Sequence, residues 1–193
     1  MNIHGRIVAT FDQYRLSDDE FVIAVERAFV ESLLVHLEKY IRLSGVHVEK
    51  LDRYVYFDLE ETNAPVPAGT LVISQKRGRL LIAEALMPAQ VSDEEFTLFR
   101  LQNNIPLQGV DYADEFLLNL NDEELVSYTK GCFLGQEPLS KVRNRSKPTW
   151  KLVVRYQDQC SEEERQKMTS VVIDPAARRA RGFVFIPSAR QME

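Results

Sequence analysis

What most constrains this chain is the order in which β-rich and helix-periodic runs follow one another. Gly5 to Tyr14 is rich in β-formers (Ile7, Val8, Thr10, Phe11, Tyr14), Ser17-Asp18-Asp19 supplies a turn, and Phe21 to Val25 reads as a returning strand. A helical pattern follows at once. Ala28, Phe29, Leu33, Leu37, Tyr40 and Ile41 recur at three- and four-residue steps and are expected to be core. Short strands are expected at Val46 to Val48 and Tyr54 to Phe57, with a loop from Thr62 to Gly69 around Pro65 and Pro67. Thr70 to Ser74 and Leu80 to Ala85 form a hairpin across Lys76-Arg77-Gly78. Ser92 with Glu95, and Ser161 with Glu164, make capping boxes that open two further helices, the first ended by Asn103-Asn104 and Pro106. Another helix begins near Gly135, and strands are expected at Trp150 to Tyr156, Thr169 to Ile173 and Gly182 to Ile186. Strands and helices do not alternate regularly, so the fold class is α+β. The basic stretch Arg143 to Lys151 offers a boundary, giving a main domain over 1–147 and a small C-terminal β module over 148–193.

Composition removes several function classes. Apolar residues make up 45% of the chain, enough to bury a core. The net charge of -5 is spread along the chain, which argues against a nucleic-acid-coating protein. No secretory signal is visible, and no apolar run approaches the roughly 18–20 residues of a membrane span, so a soluble, cytoplasmic protein is expected. Cys132 and Cys160 fit no zinc spacing and no disulfide framework, and both are expected as free thiols. His4, His36 and His47 are not paired at helical spacing, and no metal site is expected.

The chemistry concentrates in Lys130-Gly131-Cys132-Phe133-Leu134-Gly135-Gln136-Glu137. Cys132 follows a cation and precedes a helix start, and both features favour the nucleophilic, metal-binding thiolate. Iron–sulfur clusters want about four such ligands, so a single thiolate suits transient contact with a cluster, a partner's thiol or a redox step. The competing reading is a small buried hydrophobe. Gly131 and Gly135 meet backbone needs, either positive φ or close approach of another surface. Gln136 and Glu137 either hydrogen-bond a ligand or cap the helix they open. Lys141, Arg143, Arg145, Lys147 and Lys151 could meet a polyglutamate tail, phosphate groups or an acidic partner, or form a solvated face. Trp150 lacks interleaved aromatics, so direct nucleic-acid binding is not expected. Arg100 pairs either with a ligand carboxylate or with an acid of its own helix.

The Lys130–Glu137 segment resembles the signature K-G-C-[YF]-x-G-Q-E of the YgfZ family, which is related to the T-protein of the glycine cleavage system. Phe99 to Pro106, with Gly109 and Asp111, resembles the family's R-I-E-A-G-I-P…G-x-D stretch. Asn2, Gly5 and Arg6 resemble its N-x-x-G-R segment, and Trp150 to Tyr156 with Gly182-Phe183-Val184 the start of its C-terminal barrel. The resemblance implies a T-protein-like folate-binding fold followed by a short, truncated β-barrel-like module. It implies an accessory factor for iron–sulfur cluster assembly or repair, linked to tRNA-modifying iron–sulfur enzymes, with iron–sulfur proteins or their assembly factors as partners. Cys132 would be the reactive thiol, and tetrahydrofolate would sit among Arg100, Gln102, Asp111, Lys130, Gly131, Gly135, Gln136 and Glu137. Gln102 stands where the family has an acid, and Ala9 and Thr10 stand where the aminomethyltransferases carry aspartates. The resemblance therefore favours a non-enzymatic factor over a folate-dependent one-carbon transferase; a ligand-free interaction module is the third reading. The chain starts at the N-x-x-G-R motif, and an unpaired sheet edge exposed there would make a homodimer.

Overall fold

The turn at Ser17 to Asp19 joins β1 (Phe11–Arg15) to β2 (Phe21–Val25) in an antiparallel ribbon, Phe11 opposite Val25 and Arg15 opposite Phe21. The structure is a computed structural model and describes residues 1–59, 65–75, 77–120 and 125–188. A second antiparallel sheet has the order β3-β5-β4, from β3 (Tyr54–Asp58), β4 (Leu71–Ser74) and β5 (Arg79–Ala83). Gln75 N–H donates to the Gly78 carbonyl at 3.2 Å and closes its hairpin. Lys76 of the expected turn, and Thr62 to Ala64 of the expected loop, lie outside the described residues.

The helices start where local rules put them. α1 (Val30–Ser44) ends at Gly45 in the left-handed region, and α2 (Asp93–Asn103) opens on a complete Ser92–Glu95 capping box. Asn104 then stops α2 at φ 54°, a left-handed conformation that asparagine tolerates better than most residues. α3 (Gln136–Arg145) follows Gly135, and α4 (Glu162–Gln166) opens on the Ser161–Glu164 box. The third sheet comprises β6 (Trp150–Tyr156), β7 (Thr169–Asp174) and β8 (Arg179–Pro187), in the order β6-β8-β7. The class is α+β as expected. The C-terminal sheet is open, three-stranded and antiparallel, not a closed barrel.

Three local expectations need correction. Gly5 to Thr10 forms no regular strand; a single Arg6–Phe116 bridge and the Gln108 side chain hold it instead. The Gln108 amide accepts from Thr10 N–H at 2.8 Å and donates to the Val8 carbonyl at 3.1 Å, standing in for a neighbouring strand. Val46 to Val48 forms no strand, because alternation over three residues fixes no pairing partner. In α1 only Leu33 is buried, while Tyr40 and Val35 are exposed: periodicity specifies the helix but not what covers it.

The main core gathers Ile7, Leu101, Tyr112, Leu117, Leu120 and Leu139 with Leu152 and Phe183 of the C-terminal sheet. Apolar burial therefore runs straight across the 147/148 boundary. Phe183, fully buried, by itself contributes about 1.5–3 kcal/mol. Among the described residues no helix is long and apolar enough to cross a membrane.

Candidate functional site

The loop ahead of α3 is built from two aromatic anchors and an exposed crest. Tyr128 and Phe133 pack against the main core, whereas Lys130, Gly131 and Cys132 between them are exposed. A cation covers each anchor: Arg143 lies 3.9 Å from the Tyr128 ring centroid, and Lys130 Nζ lies 4.8 Å from that of Phe133. Cys132 is a free, exposed thiol, and Cys160 is a free, buried one whose Sγ lies 3.5 Å from the Tyr156 carbonyl.

Gly135 explains why the loop sits where it does. It is buried at φ 80°, and a Cβ there would lie inside van der Waals contact of the Asn2 carbonyl oxygen. The N-terminal turn is thus pressed on the start of α3. The Asn2 side chain accepts from His4 N–H at 2.9 Å and Arg6 N–H at 3.1 Å, which shapes that turn. Burial first, and the charge of Lys130 second, hold the Met1 amino group below its ordinary pKa. Gly131 needs neither positive φ nor close approach, as nothing lies within 4 Å of its would-be Cβ. Gln136 turns back on the loop, its amide oxygen 3.4 Å from Phe133 N, and Glu137 is exposed in the first turn of α3.

Arg100 and Asp111 meet each other. Arg100 Nη1 donates to Asp111 Oδ2 at 2.7 Å, with side chains 4% and 0% exposed. The same oxygen accepts from Leu107 N–H at 2.9 Å, while Asp111 Oδ1 accepts from the hydroxyls of Thr169 at 2.8 Å and Ser170 at 2.5 Å. Arg100 donates further to the Ile105 carbonyl at 3.2 Å and to Ser170 Oγ at 2.7 Å. A β-bulge makes this possible. β7 slips register against β8 between Thr169 and Val172, and Ser170 takes φ 51°, so two consecutive hydroxyls reach one carboxylate. All four acceptor positions of Asp111 are then filled from within the chain. Neither Thr169 nor Ser170 is singled out by the sequence; serine and threonine within a strand carry no local signal of such a role.

The residues expected around one ligand do not form a single hydrogen-bonded group among the described residues. Gln102 is exposed on α2, two positions from Arg100, a spacing at which helical side chains do not face each other. Among the described residues no hydrogen bond or ion pair joins the Arg100–Asp111 pair to the Lys130–Glu137 loop. Two cavities, of about 450 Å³ and 270 Å³, lie between α2 and β7 and between the β1–β2 ribbon and the second sheet; none of these residues lines either one.

No known protein-family profile matches the chain. It is similar to a Haemophilus influenzae protein described as uncharacterized, with 27% identity over 148 residues, covering 73% of this chain and 52% of that protein. The chain thus spans about half the length of this relative.

Proposed function

We propose that this protein is a non-enzymatic accessory factor for iron–sulfur proteins, acting through the Cys132 thiol. One observation carries the reading: of the two cysteines, only Cys132 is exposed, at the crest of a loop pinned at both ends by core-packed aromatics. Such a loop offers a thiol to a partner without disturbing the core. The resemblance of its residues to the YgfZ signature supports the same reading, with transient contact to a cluster or a partner's thiol as the chemistry.

Tetrahydrofolate is left out of this proposal, because among the described residues those expected to hold it have other partners or face solvent. Asp111 has no acceptor position left for a pterin amine, Gln102 is exposed away from Arg100, and neither cavity adjoins the loop. Native protein treated with iodoacetamide is expected to take up one equivalent, on Cys132, and a second only after unfolding. In cells, Cys132→Ser is expected to lower the activities of iron–sulfur enzymes as far as deletion does. Wild-type activities in that variant would end the proposal.

We also propose self-association through the β1–β2 ribbon. Phe11, Phe21 and Ile23 are 44%, 46% and 43% exposed, and Phe21–Val25 contains no charge or proline to guard an edge. A two-stranded ribbon is marginal alone, and pairing with a second copy extends it. Light scattering at micromolar concentration is expected to give a dimer, reduced to monomer by Ile23→Lys; a wild-type monomer would refute the pairing.

A further inference from the structure

The groove between α2 and β7 has an unusual combination of walls, and it is independent of the thiol proposed above. Its floor is apolar, with Ile173 71% and Val171 41% exposed and Leu98 on the helical side. Its rim is acidic, with Glu94 and Glu95 in the first turn of α2. Glu95 is held by the Ser92 capping box, whereas Glu94 makes no ion pair among the described residues. Among the described residues β7 is an edge strand with β8 as its strand neighbour; its bulge is confined to Thr169–Val172, and Val172 to Asp174 beyond it includes no lysine, arginine or proline to guard the edge. The Arg100–Asp111–Ser170 network joins α2 to β7, so the walls are fixed before anything binds.

We infer that this groove docks an extended segment of a partner protein in which large apolar residues alternate with lysine or arginine. The segment adds a strand to the free edge of β7, its apolar side chains cover Val171 and Ile173, and its cations meet Glu94 and Glu95. Charge complementarity selects this occupant. An acidic segment is repelled by the rim, and a second copy docked symmetrically on the same groove would bring the glutamates of both rims together.

The test is fluorescence anisotropy on the full chain with a labelled Lys-Val-Lys-Val-Lys-Val-Lys peptide, against the counterpart carrying glutamate for lysine. The basic peptide is expected to bind saturably and at least about tenfold tighter than the acidic one. Ile173→Asp and Glu94→Lys are each expected to weaken it about tenfold, and N-methylation of alternate peptide amides to abolish strand pairing. Glu163→Lys, an equal charge change on α4, is expected to leave binding within about twofold. Equal binding of both peptides, indifference to Ile173→Asp, or the same loss from Glu163→Lys as from Glu94→Lys would overturn the inference.

Discussion

Asp111→Ala is expected to cost the fold about 3–5 kcal/mol, read as a fall in the urea midpoint at constant slope. The magnitude follows from what the change leaves behind. Arg100, its side chain 4% exposed, would keep its charge without its carboxylate, and its Nε already lacks an acceptor among the described residues. The guanidinium lies 5.8 Å from the Phe96 ring centroid and 6.0 Å from that of Phe183, which compensates for little of a lost ion pair. The Leu107 N–H and the hydroxyls of Thr169 and Ser170 would lose their acceptor too. Arg100→Met is expected to be nearly as damaging. The double variant is expected to lose less than the sum of the two, by about 0.5–3 kcal/mol, because neither charge is then stranded. A loss under about 1 kcal/mol for Asp111→Ala would mean that the pair does not hold α2 to β7.

The second large effect is expected at Gly135. Gly135→Ala forces a side chain into left-handed backbone, at about 1–2 kcal/mol, and drives its Cβ onto the Asn2 carbonyl, an overpacking cost of about 1–3 kcal/mol. The contact is with backbone, so no flexible side chain can yield. The sum is about 2–5 kcal/mol, with the N-terminal turn lifted from α3. Gly131→Ala, four residues earlier, has open space and ordinary φ, and is expected to stay within about 0.5 kcal/mol. Denaturation of the two variants side by side separates a backbone requirement from mere proximity to Cys132; equal stability would show that the Gly135 contact yields freely.

These two residues also mark how far sequence reasoning reaches. Features set by a few neighbouring residues were readable: both Ser–Glu capping boxes, the left-handed stop at Asn104, the start of α3 after Gly135 and the span of β6 all follow from local rules. The exposed crest of the Cys132 loop could not be told from a buried thiol, since the decision rests on where Tyr128 and Phe133 find their core. The partners of Asp111 were equally hidden. Thr169 and Ser170 lie 58 and 59 residues further along the chain than Asp111, and a bulge in β7, a strand with no glycine of its own, turns their hydroxyls inward. The α1 stripe failed for the complementary reason: amphipathic spacing says that a face is available, and tertiary structure decides whether it is used.

The stand-in pairing of the N-terminal segment has a consequence for how the chain is made. Arg6 bonds Asp114 and Thr10 bonds Gln108, separations of 108 and 98 residues, and Ile7 packs with Leu139 and Phe183, which come later still. At ribosomal rates of about 5–20 residues per second, those first residues wait several seconds before their first partners leave the tunnel. Contacts of such sequence separation also close slowly, because loop entropy is lost before the contacts return anything. The opening residues, ribbon and α1 therefore emerge with their apolar side chains unshielded, and completion of the core is gated by the last third of the chain.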